Sequence, residues 1–78
     1  MKLSELEKGD RATIVKIDTN EDLKSRLLSF GVARGSQLSV EACSLGKQTI
    51  EIMVDDTLIG LRVDEARNIE VEKREMGK

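Results

Sequence analysis

Apolar and polar residues alternate along two stretches in the middle of the chain. The residues that the alternation places on an inner face are Leu38, Val40, Ala42, Ile50, Ile52 and Val54. A repeat of two is typical of a strand with one buried face. The pair Asp55-Asp56 follows the second stretch, and aspartate tolerates the positive φ of a tight turn. We therefore predict a two-residue hairpin that leads into a further strand over residues 57–62.

Residues 19–31 carry the signals of a helix. One helix face is predicted to be buried, because its apolar residues are spaced i, i+4 and i+7: Leu23, Leu27 and Phe30. Thr19 or Asn20 can accept a hydrogen bond from an early backbone amide and so cap the start. Gly31 can adopt the left-handed conformation that ends a helix, after which Val32 is expected to fold back onto Leu27.

A strand is predicted over residues 11–18, but its two strongest apolar residues do not fit a regular strand. Ile14 and Ile17 are three positions apart, so they would point to opposite faces. One extra residue in the strand would bring both onto the same face. We therefore predict a β-bulge near Val15-Lys16.

Short elements are predicted at both ends of the chain: a helical turn over residues 3–10, a second turn over 63–67 capped by Asp64, and a last strand over 69–72. A charged, frayed tail is expected over residues 74–78. Together, the predicted elements give a mainly β fold of about five strands with one helix between the first and second. Such a fold suggests a small SH3-like antiparallel barrel. The predicted core positions in the strands are Ile14, Leu38, Val40, Ile50, Ile52, Ile59, Leu61, Ile69 and Val71.

The composition is that of one small domain, which we place at residues 1–73 of the 78. Phe30 is the only aromatic residue, so the core is aliphatic. The single cysteine, Cys43, excludes an intrachain disulfide and a zinc site built from several cysteines. No apolar run approaches the roughly 20 residues that cross a bilayer, and no signal peptide is recognisable. We expect a cytoplasmic protein without direct membrane insertion.

Side-chain chemistry excludes several classes of function. The 13 basic and 15 acidic residues are interspersed and leave a net charge of −2, so nothing attracts a nucleic acid. The chain has no histidine to serve as a base or to activate Cys43, which argues against an enzyme and against any catalytic residue. The carboxylates are dispersed, and we predict neither a metal site nor a cofactor. Those expected on the solvated face of the sheet are Glu41, Glu51, Glu70 and Glu72.

A few apolar residues have no obvious place in the core. Leu28 lies about 100° around the helix from Leu27, so either the buried face is wide or Leu28 contacts a partner. Leu45 lies in a predicted loop, and Met53 and Leu58 fall on outward strand positions. If these residues lie together, they form an apolar patch of the kind that marks an interaction site.

Residues 26–36, R-L-L-S-F-G-V-A-R-G-S, resemble the segment R-L-L-x-L-G-h-x-x-G-T/S of the ferrous iron transport protein A family, FeoA. The opening L-S-E-L followed by Gly9 also resembles that family, so the likeness covers nearly the whole chain. The later matches, in order, are Leu38-Ser39-Val40, Leu45-Gly46, Ile50-Glu51-Ile52, Ile59-Gly60-Leu61-Arg62, Glu65-Ala66 and Ile69-Glu70-Val71. Departures lie in the loop, where Ser44 and Gln48 replace two prolines and Lys47 replaces an aspartate.

The resemblance implies an SH3-like barrel that acts with FeoB, the large iron permease whose N-terminal GTPase domain faces the cytosol. It also implies a non-enzymatic accessory or regulatory role in ferrous iron uptake, and binding of transition metal ions is a property at the level of the family. From the resemblance and the exposed apolar residues together, we predict docking onto the cytosolic GTPase region of FeoB. The residues predicted to contact the partner are Arg26, Leu28, Leu45 and Leu58.

Two other interpretations stay open at this point. A similar barrel forms the C-terminal domain of iron-dependent repressors, which suggests a metal-sensing module, although the winged-helix domain that accompanies it there is absent from this sequence. A GTPase-activating factor would supply an arginine to the GTPase, with Arg26, Arg34 and Arg62 as the candidates. The oligomeric state is also open, and a homo-oligomer is one alternative.

Overall fold

The computed structural model describes residues 1–74 of the protein. In chain order its elements are a 3₁₀ helix at Leu3–Glu5, β1 at Arg11–Ile17, α1 at Glu21–Ser29, β2 at Gln37–Cys43, a second 3₁₀ helix at Leu45–Lys47, β3 at Thr49–Val54, β4 at Thr57–Arg62, α2 at Val63–Ala66 and β5 at Ile69–Arg74. The predicted mainly β fold, with five strands and a helix between the first and second, is confirmed.

The five strands form one antiparallel sheet in the order β4-β3-β2-β1-β5. β4 and β5 are its edges, so within residues 1–74 backbone hydrogen bonds do not close the sheet into a complete barrel. α2 contacts both β4 and the first 3₁₀ helix, and that 3₁₀ helix contacts β5. These two short elements therefore connect the two edges of the sheet.

The core is aliphatic and lies on the inner face of the sheet. The strand residues predicted to form the core are all buried: Ile14, Leu38, Val40, Ile50, Ile52, Ile59, Leu61, Ile69 and Val71. The predicted hairpin is also present, with Val54 paired to Thr57 and Asp55 at a φ of 54°. Alternation with a period of two therefore identified the inner face of β3, β4 and β5 and of the first part of β1 and β2.

The sheet contains two β-bulges, of which one was predicted. The pairing of β1 with β5 shifts between Ile14 and Lys16, as the spacing of the apolar residues required. The second shift lies in β2, between Val40 and Ala42. It places Cys43 opposite the buried Ile50, so Cys43 is half-buried and packs against the core. The same shift places Ala42 opposite the exposed Glu51, so the prediction that Ala42 lies on the inner face is wrong.

The predicted apolar stripe of α1 is correct for Leu23 and Leu27 but wrong for Phe30, whose side chain is 44% exposed. The helix ends at Ser29, so Phe30 no longer follows the helical period. Gly31 adopts a φ of 81° and donates its N–H to the Leu28 carbonyl at 2.9 Å. Val32 donates to the Leu27 carbonyl at 2.9 Å and is fully buried. This Schellman motif, as predicted, places Val32 rather than Phe30 in the core.

The last elements also differ from the sequence prediction. Asp64 does not cap α2, because it lies inside the helix, and the Glu65 carboxylate accepts a hydrogen bond from the Arg62 amide at 3.0 Å instead. β5 continues to Arg74, which pairs with Arg11, so the strand extends beyond the predicted residues 69–72. The rest of the predicted tail, residues 75–78, lies outside the described residues.

Candidate docking surface

The two ends of α1 determine which of its side chains point outward. The Asn20 side-chain oxygen Oδ1 accepts a hydrogen bond from the Leu23 amide at 2.8 Å, as a helix N-cap does. With the start of the helix defined in this way, Leu23 and Leu27 face the core. Leu28 is one position further around the helix, and 57% of its side chain is exposed.

The bulge of β1 exposes a second apolar side chain close to α1. Ile14 keeps its place in the core, but Val15 is the extra residue of the bulge and is 46% exposed. The turn after α1 binds to the same point of β1, because the Ile14 carbonyl accepts from Gly35 at 2.7 Å. The Ile14 amide in turn donates to the Ser36 carbonyl at 2.8 Å. β1, α1 and this turn thus meet beside Val15.

Between these three segments lies an open groove of about 600 Å³, called here the Leu28 groove. Its apolar lining consists of Val15, Ile17, Leu28 and Ala33. Its charged lining consists of Lys16, Lys24 and Arg34. A lining of both aliphatic and cationic side chains can bind apolar and anionic groups at the same time.

The three cations of the Leu28 groove form no ion pair with a carboxylate of residues 1–74. Lys16 lies opposite Glu70 in the pairing of β1 with β5. The Glu70 carboxylate, however, binds the Lys2 ammonium at 2.9 Å and the N-terminal amine at 3.3 Å. The positive charge at the groove is therefore not neutralised by the acidic residues that the structure describes.

Arg26, one of the predicted partner-binding residues, does not line the Leu28 groove. Its guanidinium lies 3.3 Å from both carboxylate oxygens of Glu65 and so connects α1 to α2. The prediction placed Arg26 beside Leu28. Two positions apart on a helix correspond to about 200° of rotation, so the two side chains point in nearly opposite directions.

Leu45 and Leu58 are exposed but lie in two further places. Leu45 is fully exposed on the second 3₁₀ helix, beside a shallow depression that includes Lys8 and Cys43. Leu58 is on the edge strand β4, opposite Met53 on the outer face of the sheet. Neither residue lines the Leu28 groove. The structure therefore does not bring the predicted apolar residues together into one patch.

A family model described as the FeoA domain matches residues 1–73. The chain belongs to the FeoA family. It is 42% identical over 71 residues to a candidate Fe(2+) transport protein A of Campylobacter jejuni, covering 91% of this chain and 96% of that protein. It is also 33% identical over 72 residues to a fusion of Fe(2+) transport protein A with the Fe(2+) transporter FeoB in Porphyromonas gingivalis, covering 92% of this chain and 8% of the fusion. The resemblance predicted from the sequence is confirmed, and the family is one of ferrous iron transport.

Solved FeoA structures have the same fold. The FeoA protein of Chlorobium tepidum superposes with a TM-score of 0.91 at 32% identity, covering 100% of this chain and 74% of that one. A zinc complex of FeoA from Stenotrophomonas maltophilia, described as a prokaryotic SH3 domain protein, superposes with a TM-score of 0.79 at 26% identity, covering 92% of this chain and 89% of that one. The predicted SH3-like fold is confirmed.

A manganese-dependent transcriptional repressor also contains this fold. The superposition has a TM-score of 0.84 at 24% identity and covers 94% of this chain but 40% of the repressor. At that identity the likeness concerns the fold alone. In residues 1–74 no group of three or more histidine, cysteine, aspartate or glutamate residues is placed to hold a metal ion.

The FeoA segment that carries the resemblance, residues 26–36, forms the end of α1 and the turn beside the groove. Sequence reasoning found Leu28 but missed Val15 and Lys24 as its neighbours. Signals for both were available. A bulge at Val15 removes that residue from the inward pattern, and Lys24 is four positions before Leu28 on the same helix face.

The groups with shifted pKa values hold the N-terminal segment to β5. The pKa of Glu70 is lowered, first by its hydrogen bond with Lys2 and then by that with the N-terminal amine. The pKa of Lys2 is raised by the same hydrogen bond with Glu70. The pKa of Asp10 is lowered mainly by the backbone amide of Glu7, which donates to it at 2.8 Å, and also by Lys73. These are structural contacts at the surface.

No helix in the described part of the chain combines the length and the hydrophobicity needed to cross a membrane.

Proposed function

We propose that this FeoA protein is a cytoplasmic, non-enzymatic accessory protein of ferrous iron uptake that docks onto the cytosolic GTPase region of FeoB. The observation that carries the proposal is the Porphyromonas gingivalis relative, in which one chain contains both protein A and FeoB. A covalent link holds two modules at a high effective concentration, which favours contact between them. Two proteins that are separate in one organism and joined in another are typical of a pair that acts together.

Within the chain, we assign the docking contact to the Leu28 groove. Leu28 and Val15 expose aliphatic side chains to solvent at the same groove, and clustered exposed apolar groups mark interaction sites. Arg26 supports this surface only indirectly, through its ion pair with Glu65. Leu45 and Leu58 are exposed positions outside the groove, and the binding experiment compares Leu45 with Leu28.

The test is the affinity of the purified chain for full-length FeoB in detergent, measured with the wild type, Leu28→Gln and Leu45→Gln. We expect Leu28→Gln to weaken binding about tenfold or more, because a central apolar contact contributes about 1–2 kcal/mol or more. Its melting temperature should not change, since Leu28 is exposed. Docking through the groove is contradicted if a folded Leu28→Gln variant binds FeoB with unchanged affinity. It is also contradicted if only Leu45→Gln loses affinity.

Of the three candidate arginines of the GTPase-activating alternative, Arg26, Arg34 and Arg62, only Arg34 lines the groove. Arg34 is exposed beside Leu28, whereas Arg26 is bound to Glu65. An arginine supplied to a GTPase accelerates hydrolysis by about 10³–10⁵. The rate of GTP hydrolysis by FeoB should therefore be compared between saturating wild type and Arg34→Lys, which keeps the charge. An accessory role predicts equal rates, and a loss of about a thousandfold would establish the alternative.

A further inference from the structure

We infer that the Leu28 groove binds an acidic amphipathic segment of the partner, whose apolar side chains lie on Leu28 and Val15 and whose carboxylates face the surrounding lysines and arginine. The inference rests on the proposed docking function and specifies the chemistry of what docks. It follows from the lining of the groove, which combines apolar side chains with basic ones.

The apolar part of the lining favours an occupant with apolar groups. Val15, Ile17, Leu28 and Ala33 line it, and the two largest exposed side chains, Val15 and Leu28, come from different elements. A small hydrophilic anion would leave these aliphatic groups in contact with water. An occupant with its own apolar side chains would remove them from water, at about 25 cal/mol for each Å² that is buried.

The charged part of the lining favours an occupant with negative charge. Lys16 comes from β1, Lys24 from α1 and Arg34 from the turn after α1, so each of the three segments that form the groove contributes one cation. No acidic residue of residues 1–74 lines it. In a chain with 15 acidic and 13 basic residues, a lining with three cations and no acid differs from the average surface. Because these cations have no carboxylate partner in the described residues, a bound acidic segment would supply one.

The spacing on α1 indicates how the two kinds of contact occur together. Lys24 and Leu28 are four residues apart and therefore share a helix face. Lys24 is half-buried and lines the groove. A lysine can contribute its aliphatic stem to an apolar surface and its ammonium to an anion. A partner residue packed on Leu28 would thus have a carboxylate neighbour within reach of Lys24.

The first experiment measures the affinity for full-length FeoB in detergent with two charge reversals, Lys24→Glu and Lys8→Glu. Lys8 is exposed and does not line the groove, so it is a matched control for the change in net charge. We expect Lys24→Glu to weaken binding about fivefold to tenfold and Lys8→Glu to change it less than twofold. Salt should weaken wild-type binding, because the Debye length falls from about 10 Å at 0.1 M to about 3 Å at 1 M. Equal effects of the two reversals would overturn the inference.

The second experiment uses two synthetic amphipathic helical peptides that share one leucine face and differ only in their flanking residues, glutamate in one and lysine in the other. Amide NMR shifts of Val15, Leu28 and Ala33 report binding in the groove. The inference predicts shifts with the glutamate peptide alone, and their loss in Lys24→Glu. Equal binding of both peptides, or binding of neither, overturns it. A third outcome also overturns the inference: the amide shifts in the groove grow with protein concentration in the absence of peptide, and sedimentation detects a dimer. The occupant would then be a second copy of the chain.

The two experiments separate the failure of this inference from the failure of the proposed function. If Leu28→Gln weakens FeoB binding and Lys24→Glu behaves like Lys8→Glu, docking stands and the acidic occupant is rejected. If FeoB does not bind the wild type but the glutamate peptide does, docking onto FeoB is rejected and the acidic preference of the groove is supported.

Discussion

Leu27 and Leu28 are neighbours in the chain with opposite environments. Leu27 is fully buried in the core, whereas more than half of Leu28 is exposed at the groove. The reason is the rotation of about 100° per residue in a helix whose other face packs on the sheet. The two leucines therefore separate stability from binding at adjacent positions, and each serves as the control for the other.

We predict that Leu27→Ala lowers the free energy of unfolding by about 2–5 kcal/mol, because it removes buried methyl groups and leaves a cavity. Leu28→Ala should change it by no more than about 0.5 kcal/mol, as is usual for an exposed site. Urea unfolding followed by circular dichroism measures both. A comparable loss in the two variants would show that Leu28 belongs to the core and would remove the basis for a docking face.

At the scale of elements, the C-terminal end of α1 depends on one glycine. Gly31 has a φ of 81°, a conformation that side chains with a Cβ rarely adopt, and it begins the Schellman motif that brings Val32 into the core. A Cβ at Gly31 would meet no atom within 4 Å. The cost of a larger residue there comes from the backbone and not from a clash.

We predict that Gly31→Ala lowers the free energy of unfolding by about 1–2 kcal/mol, the cost of a left-handed conformation for a residue with a Cβ. Gly60 is the matched control, since its Cβ also meets no atom within 4 Å and its φ is not positive. Gly60→Ala should be neutral or slightly stabilising, because alanine restricts the unfolded chain. Chemical denaturation of both variants compares them, and a neutral Gly31→Ala would contradict this account of the helix end.

At the scale of the whole molecule, contacts between the N-terminal segment and β5 connect the two ends of the described chain. The Val71 amide donates to the Met1 carbonyl at 2.8 Å, and the Glu70 carboxylate binds both Lys2 and the N-terminal amine. The Asp10 carboxylate lies 3.4 Å from the Lys73 ammonium. These ion pairs are exposed, so each contributes little by itself. Together they make the stability of the fold depend on pH.

The sign of this dependence follows from the pKa shifts. Folding lowers the pKa of Asp10 and of Glu70, so both carboxylates stabilise the fold above their unfolded pKa of about 4. That contribution is lost as the pH falls through the folded pKa values. The pKa of Lys2 is raised, so its contribution is present at neutral pH and is lost only as the pH rises above about 10.

We predict that the variant with both Asp10→Asn and Glu70→Gln melts at a lower temperature than the wild type at pH 7. The two melting temperatures should converge as the pH falls below about 4, because the wild-type carboxyls then become protonated. Thermal melts between pH 7 and pH 2 measure this. A difference that stays constant over the whole range would mean that these carboxylates do not contribute through their charge.

The sequence by itself determined the strands, most of their inward positions and both ends of α1. These features depend on neighbours in the chain: the repeat of two in a half-buried strand, a polar cap at Thr19 or Asn20 and the left-handed Gly31. The bulge at Val15 also followed from spacing alone. Local geometry leaves such features few alternatives, so a pattern of residue types is sufficient to identify them.

Only the tertiary structure decided where the exposed groups meet. The bulge in β2 reverses the side on which Cys43 lies, and the end of α1 at Ser29 leaves Phe30 in solvent. The Leu28 groove joins side chains from β1, α1 and the following turn, while Leu45 and Leu58 lie elsewhere. The physical reason is that strand register and the packing of a helix on a sheet arise from contacts between distant residues. The spacing of residues along the chain does not contain that information.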